Sequence, residues 1–419
     1  MRRALLENWS LFLGMILLMI GNGLLVTLLT IRGASLGFSD LVISLMQAAY
    51  PLGALAGTVT APKLITKVGH IRAFSALASM VSVAAIAHLL TSDPVSWSAM
   101  RFLAGFCFPG LYVITESWLN AKSENKIRAQ VLSIYFITTL AGPAIGTAMV
   151  GIPDPSGNLL FGIVSILISI AIVPLLLSNV RAPEFSAPDR MPVQRLAKVS
   201  PMAVFGIVMN SIAVSAWFIG LPLYALQNGF DNAQAAWVLV SAMIGGALVQ
   251  FPAGWLSDQM DRRNVVIGLG AISIAGCFWV GAHPTPLTIW IGFTIIAAVT
   301  LPTYSILVAH ANDQLSSGQI VPASGTMGFL MQTGQFLGIL IGPNMITMLD
   351  GRGLLVTIAL SSICVIVFAI GRRVTSAAPD ETTDMQPIGV IGLTQPGLLQ
   401  AEAISEDISE TSEQFGDKS

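Results

Sequence analysis

Twelve stretches of about 20 mostly apolar residues follow one another along this chain, at about 9–31, 40–64, 73–91, 96–118, 128–151, 158–179, 200–223, 234–256, 264–282, 285–309, 320–349 and 352–371. Such a length lets a helix cross the hydrocarbon layer of a bilayer. Inside lipid only helices and closed barrels satisfy every backbone N–H and C=O. Barrel strands alternate apolar and polar residues, and these runs do not alternate. The expected fold class is an all-α membrane protein with twelve transmembrane helices. Composition agrees: of 419 residues, 54% are apolar and 10% charged, and the mean hydropathy is +0.76. Soluble domains carry roughly 25% charged residues. A water-soluble globule this apolar would expose large hydrophobic patches, which soluble monomers avoid.

Orientation follows from the basic residues, which concentrate on the cytoplasmic side of membrane proteins. With the N-terminus inside, Arg2, Arg3, Lys63, Lys67, Arg72, Lys122, Lys126, Arg128, Arg181, Arg190, Arg195, Lys198, Arg262, Arg263, Arg372, Arg373 and Lys418 fall on the cytoplasmic side. Only Arg32, Arg101 and Arg352 fall toward the other. Both termini are expected in the cytoplasm, with the chain a multi-pass protein of a bacterial inner membrane. The start, MRRALLENW, leads into a run too long for a signal-peptide core and is expected to remain as a first anchor. Cys107, Cys277 and Cys364 each sit inside an apolar run and read as small buried hydrophobes, not as a disulfide or metal set. No nucleic-acid partner is expected, because residues 373–419 carry a net charge of −7 and the rest of the chain only +5.

The chain divides into an N-terminal six-helix half (1–179), a Pro- and Arg-rich cytoplasmic linker (180–199), a C-terminal six-helix half (200–372) and an acidic tail (373–419), expected to be disordered. The halves resemble each other. Thr66 and Asp258, which follow the second and eighth spans, are 192 residues apart, and so are Asn120 and Asn312. Gly142-Pro143 and Gly342-Pro343 recur 200 residues apart. Parallel six-helix repeats are a transporter architecture.

With these motifs on view, the chain resembles the major facilitator superfamily over about residues 8–372. The family's loop motif, G-x-x-x-D-R-x-G-R-R, is matched after the eighth span by Gly254, Asp258, Arg262 and Arg263, with departures at Gln259 and Asp261. The first-half copy keeps Lys67 and Gly69; Pro62, Thr66 and His70-Ile71 replace the rest. The resemblance implies a latch made by Asp258 with Arg262 and Arg263, closing the cytoplasmic side in one of two alternating states. The two arginines read equally well as topology-setting charge. Arg101-Phe-Leu-Ala-Gly105 looks like the family's R-x-x-x-G motif, and Gly142-Pro143-Ala-Ile-Gly146 like the G-P-x-x-G segment associated with antiporters. Gly338 and Gly342-Pro343 repeat the latter device. Proline removes a backbone donor and bends a helix, while glycines admit a close neighbour; tight packing alone also accounts for these residues. Thr115-Glu116-Ser117-Trp118-Leu119-Asn120 and Ala309-His310-Ala311-Asn312-Asp313 look like the YcaD-like bacterial branch.

In that family's fold, spans 1, 2, 4, 5, 7, 8, 10 and 11 surround a central cavity and spans 3, 6, 9 and 12 stand outside. Polar groups are costly against lipid and should turn inward. The larger polar side chains do fall on the eight inner spans: Asn22, Gln47 and Tyr50, Arg101, Tyr112 and Glu116, Gln130 and Tyr135, Asn210, Gln250, Tyr304 and His310, then Gln332, Gln335 and Asn344. The outer spans offer mainly serines and threonines, with His88 near an end. Asn22, Gln47, Tyr50, Tyr112, Tyr135, Asn210, Trp217, Gln250, Tyr304, Gln332 and Gln335 are the expected cavity residues. Glu116, Arg101 and His310 are the candidates for proton coupling. Glu116 is the one carboxylate well inside a span, and burial disfavours a carboxylate's charged form, which suits a proton carrier. It could instead pair with Lys122, Lys126 or Arg128. His310 has a ring that titrates near neutrality but also reads as a helix-end histidine bonded to a loop.

No P-loop, HExxH or CxxC string occurs, so neither an enzyme, a cofactor nor a metal is expected. The resemblance implies a secondary transporter that works by alternating access on a small neutral or weakly charged molecule. Its expected partners are that molecule, protons and the lipid bilayer, with the chain acting as a monomer. Proton-coupled efflux is the first expectation; proton-coupled uptake of a small metabolite, or a transporter-like scaffold or sensor with a partner-binding tail, are the alternatives.

Overall fold

A computed structural model describes residues 8–122, 125–154, 157–177, 190–349 and 351–375. The tail beyond Thr375, most of the inter-half linker and the basic residues before Asn8 lie outside these. So do the side chains of Asn120, Lys126, Arg128 and Gln130. Twelve long helices run through the described residues: α1 (Trp9–Ser35), α2 (Asp40–Val68), α3 (His70–Ala87), α4 (Pro94–Lys122), α5 (Asn125–Ala148), α6 (Leu159–Leu177), α7 (Pro201–Gln227), α8 (Asn232–Gln259), α9 (Arg262–Ala282), α10 (Pro286–Asn312), α11 (Ser317–Met348) and α12 (Gly353–Thr375). A short helix, Val193–Val199, precedes α7. Ten of the twelve are long and apolar enough to span a bilayer. The other two, α5 and α11, are those that carry the Gly-Pro segments.

Local chemistry sets the helix ends. Ser39, Asp231, Thr285 and Ser316 supply N-caps or capping boxes to α2, α8, α10 and α11. Pro201 and Pro286 occupy first turns, where a missing N–H does no harm. Gly69, at φ 83°, makes the sharp turn between α2 and α3 that an L side chain resists.

The packing is the same in both halves. α1 lies against α5 and α6, α2 against α4, and α3 against α4 and α6; α7 to α12 repeat every one of these pairings. Between halves, α2 meets α11 and α5 meets α8. Glycines let the backbones touch. A methyl added at Gly146 would fall on the Ile20 carbonyl, at Gly142 on Met19, and at Gly23 on Pro143, all in the α1–α5 seam. In the matching α7–α11 seam, Gly338 lies against the Ile212 carbonyl and Gly342 against Ala216. Close backbone approach is how membrane helices associate without a hydrophobic driving force.

The serines of the outer helices bond one another: Ser82 meets Ser165 and Ser169 between α3 and α6, and Ser362 donates to Ser273 between α9 and α12. Cys107 and Cys277 are buried, but Cys364 is exposed on α12, contrary to the expectation for it. An apolar thiol meets no penalty on a lipid-facing surface.

A central cavity as the candidate functional site

Eight helices wall a cavity of about 540 Å³ on the midline between the halves. They are α1, α2, α4, α5, α7, α8, α10 and α11, while α3, α6, α9 and α12 contribute no wall residue. Nine expected cavity residues lie on the wall: Asn22, Tyr50, Tyr112, Asn210, Trp217, Gln250, Tyr304, Gln332 and Gln335. Two do not. Gln47 is buried in the α1–α2 contact, where its amide donates to the Val26 carbonyl (2.9 Å) and to Thr30 Oγ1 (2.8 Å). Tyr135 is buried behind the wall, and its hydroxyl donates to Glu116 Oε1 at 3.2 Å. A helix presents each side chain at a fixed rotation, so polarity alone cannot separate a cavity wall from a seam between helices.

The apolar wall includes Phe218, Phe251, Met243, Leu248 and Met331, which polarity-based reading passes over. The adjacent aromatics Trp217 and Phe218 were the available signal. Leu248 and Phe251 are 71% and 70% exposed. Trp217 donates its indole N–H to Thr300 Oγ1 (3.2 Å), and Gln250 donates to Ser305 Oγ (2.6 Å). Both side chains are thus held in place before any solute arrives.

The coupling candidates separate in space. Arg101 is on the wall, 2% exposed, with its guanidinium carbon 4.5 Å from the Tyr50 ring centroid. Glu116 is 3% exposed, one turn along α4 from the wall residue Tyr112. Lys122, one of its suggested partners, is exposed. His310 lies off the cavity, with Nε2 2.9 Å from the Gln314 amide in the turn after α10.

The loop-motif residues form a polar joint at the face where the chain's first helix begins and its last helix ends, the terminal face. Arg262 binds Asp258 Oδ1 (3.0 Å), Asp313 Oδ2 (2.6 Å) and Ser257 Oγ (3.0 Å), tying α8, α9 and the end of α10 together. Arg263 binds Asp261 and the Arg372 carbonyl. Burial opposes ionisation of Asp261, but its bonds from Arg263 outweigh that and hold its carboxyl below the usual aspartate range. Each of these partners belongs to the C-terminal half. Lys67 is exposed, and a methyl added at Gly69 or Gly254 would meet open space. On the opposite, far face, the halves do meet: Asp40 accepts from Thr347 and from Gln227 (3.4 Å), and Gly151 packs on Ala233.

Two repeated six-helix bundles around a midline cavity are an architecture found among membrane transporters. The chain matches the Major Facilitator Superfamily over residues 11–233 and again over 203–400, and it belongs to that family. Members of this family are membrane transporters, not enzymes. The chain is similar to an MFS-type transporter of Yersinia enterocolitica, 25% identical over 74% of this chain and 80% of that one. It is similar to the MFS-type transporter YcaD of Salmonella newport, 25% identical over 80% of this chain and 87% of the other. Among solved structures it resembles the nucleoside transporter NupG (TM-score 0.69, 14% identity, 87% of this chain and 98% of that one). It also resembles the E. coli fucose:proton symporter FucP (TM-score 0.56, 15% identity, 90% and 100%).

Proposed function

We propose that this transporter exports a small neutral or weakly charged molecule across the bacterial inner membrane in exchange for protons, as a monomer. The observation that carries the reading is the midline cavity, whose largely apolar wall bears a few amides, tyrosines and tryptophan. Such sites fix a ligand's orientation with few polar contacts. The units that would move are the halves at 1–179 and 200–372, joined by 180–199, with 373–419 as a tail. The terminal face is taken as cytoplasmic, because Lys63, Lys67, Arg72, Lys122, Arg190, Arg195, Lys198, Arg262, Arg263 and Arg372 gather there. With the far face in contact and Leu248 and Phe251 uncovered, we take this conformation as open to the cytoplasm. The export direction rests on Gly142-Pro143-x-x-Gly146.

Glu116 is the proposed proton carrier, reached from the cavity past Tyr112 and held by Tyr135. The test is a ligand screen by thermal unfolding of the purified chain, followed by transport into everted and right-side-out vesicles. A ligand that raises the midpoint stabilises the state it binds. Proton-driven loading of everted vesicles is the expected result. Loading of right-side-out vesicles alone would replace export with uptake.

A further inference from the structure

Resting on the transport reading above, we infer that the solute is an organic monoanion whose acidic group is received by Arg101. Four observations converge. Arg101 is only 2% exposed, yet it belongs to the cavity wall. Its Nε and Nη1 are buried without a hydrogen-bond partner, and among the described residues no carboxylate lies within ion-pair distance of it. The face of Tyr50 lies against its guanidinium, a cation–π contact that makes no use of the in-plane N–H groups. A guanidinium grips a carboxylate or a similar oxyanion at two points through Nη2 together with Nε or with Nη1, and each of the two unpartnered nitrogens belongs to one such face.

A buried charge with no counter-charge is expensive to maintain. An anionic solute would supply the missing charge from the cavity side. One guanidinium suits one negative charge. The rest of the wall says what the remainder of the molecule is like. Phe218, Phe251, Met243 and Met331 offer an apolar or aromatic bed. Across the midline, Asn210 Nδ2 and Gln332 Oε1 are buried and unpartnered on the opposite half, so a second polar group on the solute can bridge the two halves. A ligand gripped at one end by α4 and at the other by α7 and α11 couples its binding to the relative position of the halves.

The test uses matched probes on the full-length chain in detergent near pH 7: phenylalkanoates of increasing chain length, with the amide and the amine of each length. The carboxylates should raise the thermal midpoint of the wild type in a saturable manner, and the amide and amine of equal length should not. Arg101→Gln should require at least tenfold more carboxylate for the same shift, and Arg101→Lys should recover part of the loss. Equal stabilisation by amides or amines leaves transport intact and overturns the anion inference. So does a carboxylate shift that survives in Arg101→Gln, or stabilisation by chloride or phosphate with no gain from the organic portion. If no probe of any charge shifts the midpoint, the cavity reading falls with it. Should Arg101→Gln not fold, the comparison of charge classes on the wild type decides alone.

Discussion

The two halves are built on one packing plan but place their charges oppositely. In the N-terminal half, the described contact between the start of α3 and the end of α4 is made by an imidazole and a hydroxyl. His70 Nε2 meets Ser117 Oγ at 3.0 Å, and the imidazole lies edge-on to Trp118. In the C-terminal half the matching joint is ionic, with Arg262 between Asp258 and Asp313. Inside the bilayer the order reverses. Arg101 and Glu116 are buried in α4. The 192-residue offset sets Phe293 and Val308, both fully buried, at those places in α10. Tyr112 and Tyr304 share that offset and both line the cavity. The difference teaches a division of labour on a common scaffold. One half buries its ionisable side chains within α4, and the other keeps its charges in ion pairs at the loop side that water partly screens.

The comparison can be broken at several points. If Glu116 carries protons, Glu116→Gln abolishes pH-driven transport in proteoliposomes while leaving the fold intact, since an amide oxygen still accepts from Tyr135. Full retention of transport would remove the proton role from Glu116. Next come Gly146→Leu and Gly338→Leu, which drive a side chain into the Ile20 and Ile212 carbonyls of the paired seams. Each should cost about 3 kcal/mol, the upper range for overpacking, seen as similar falls in thermal midpoint. A loss at only one of them means that the seams are not equivalent.

Arg262→Gln strips two carboxylates of their shared partner and should cost about 2 kcal/mol. Asp258→Asn leaves the Asp313 contact in place and should cost under about 1 kcal/mol, as partly exposed pairs do. The smallest effect concerns pH. Asp261 has a depressed folded pKa, so its contribution is present above the ordinary aspartate value of about 4 and disappears as pH falls through the folded value. Asp261→Asn should therefore be less stable than the wild type at neutral pH, with the gap closing in acid. A gap that widens in acid would reverse the assigned sign.

Much of this was readable along the chain, because lipid imposes a severe filter. A spanning helix must be long, apolar and satisfied by its own backbone, so twelve runs of such residues are hard to fold otherwise. Asn22, Asn210 and Gln335 could be assigned to an inner face for the same reason: hydrocarbon offers an amide nothing. Gln47 shows where this stops. It is as polar as Gln335, yet a rotation about α2 turns it onto Thr30 and Val26 and away from the cavity.

The chain alone thus determined the helix count to within the two Gly-Pro helices, the repeat, and which spans carry polarity, since each follows from hydropathy and spacing within one segment. Only the tertiary structure decided that Glu116 answers to Tyr135, that Arg262 joins three helices within one half, and that a guanidinium sits beneath Tyr50 with two nitrogens unmatched. Those facts depend on how helices far apart in sequence are rotated and pressed together, and no single segment contains that information.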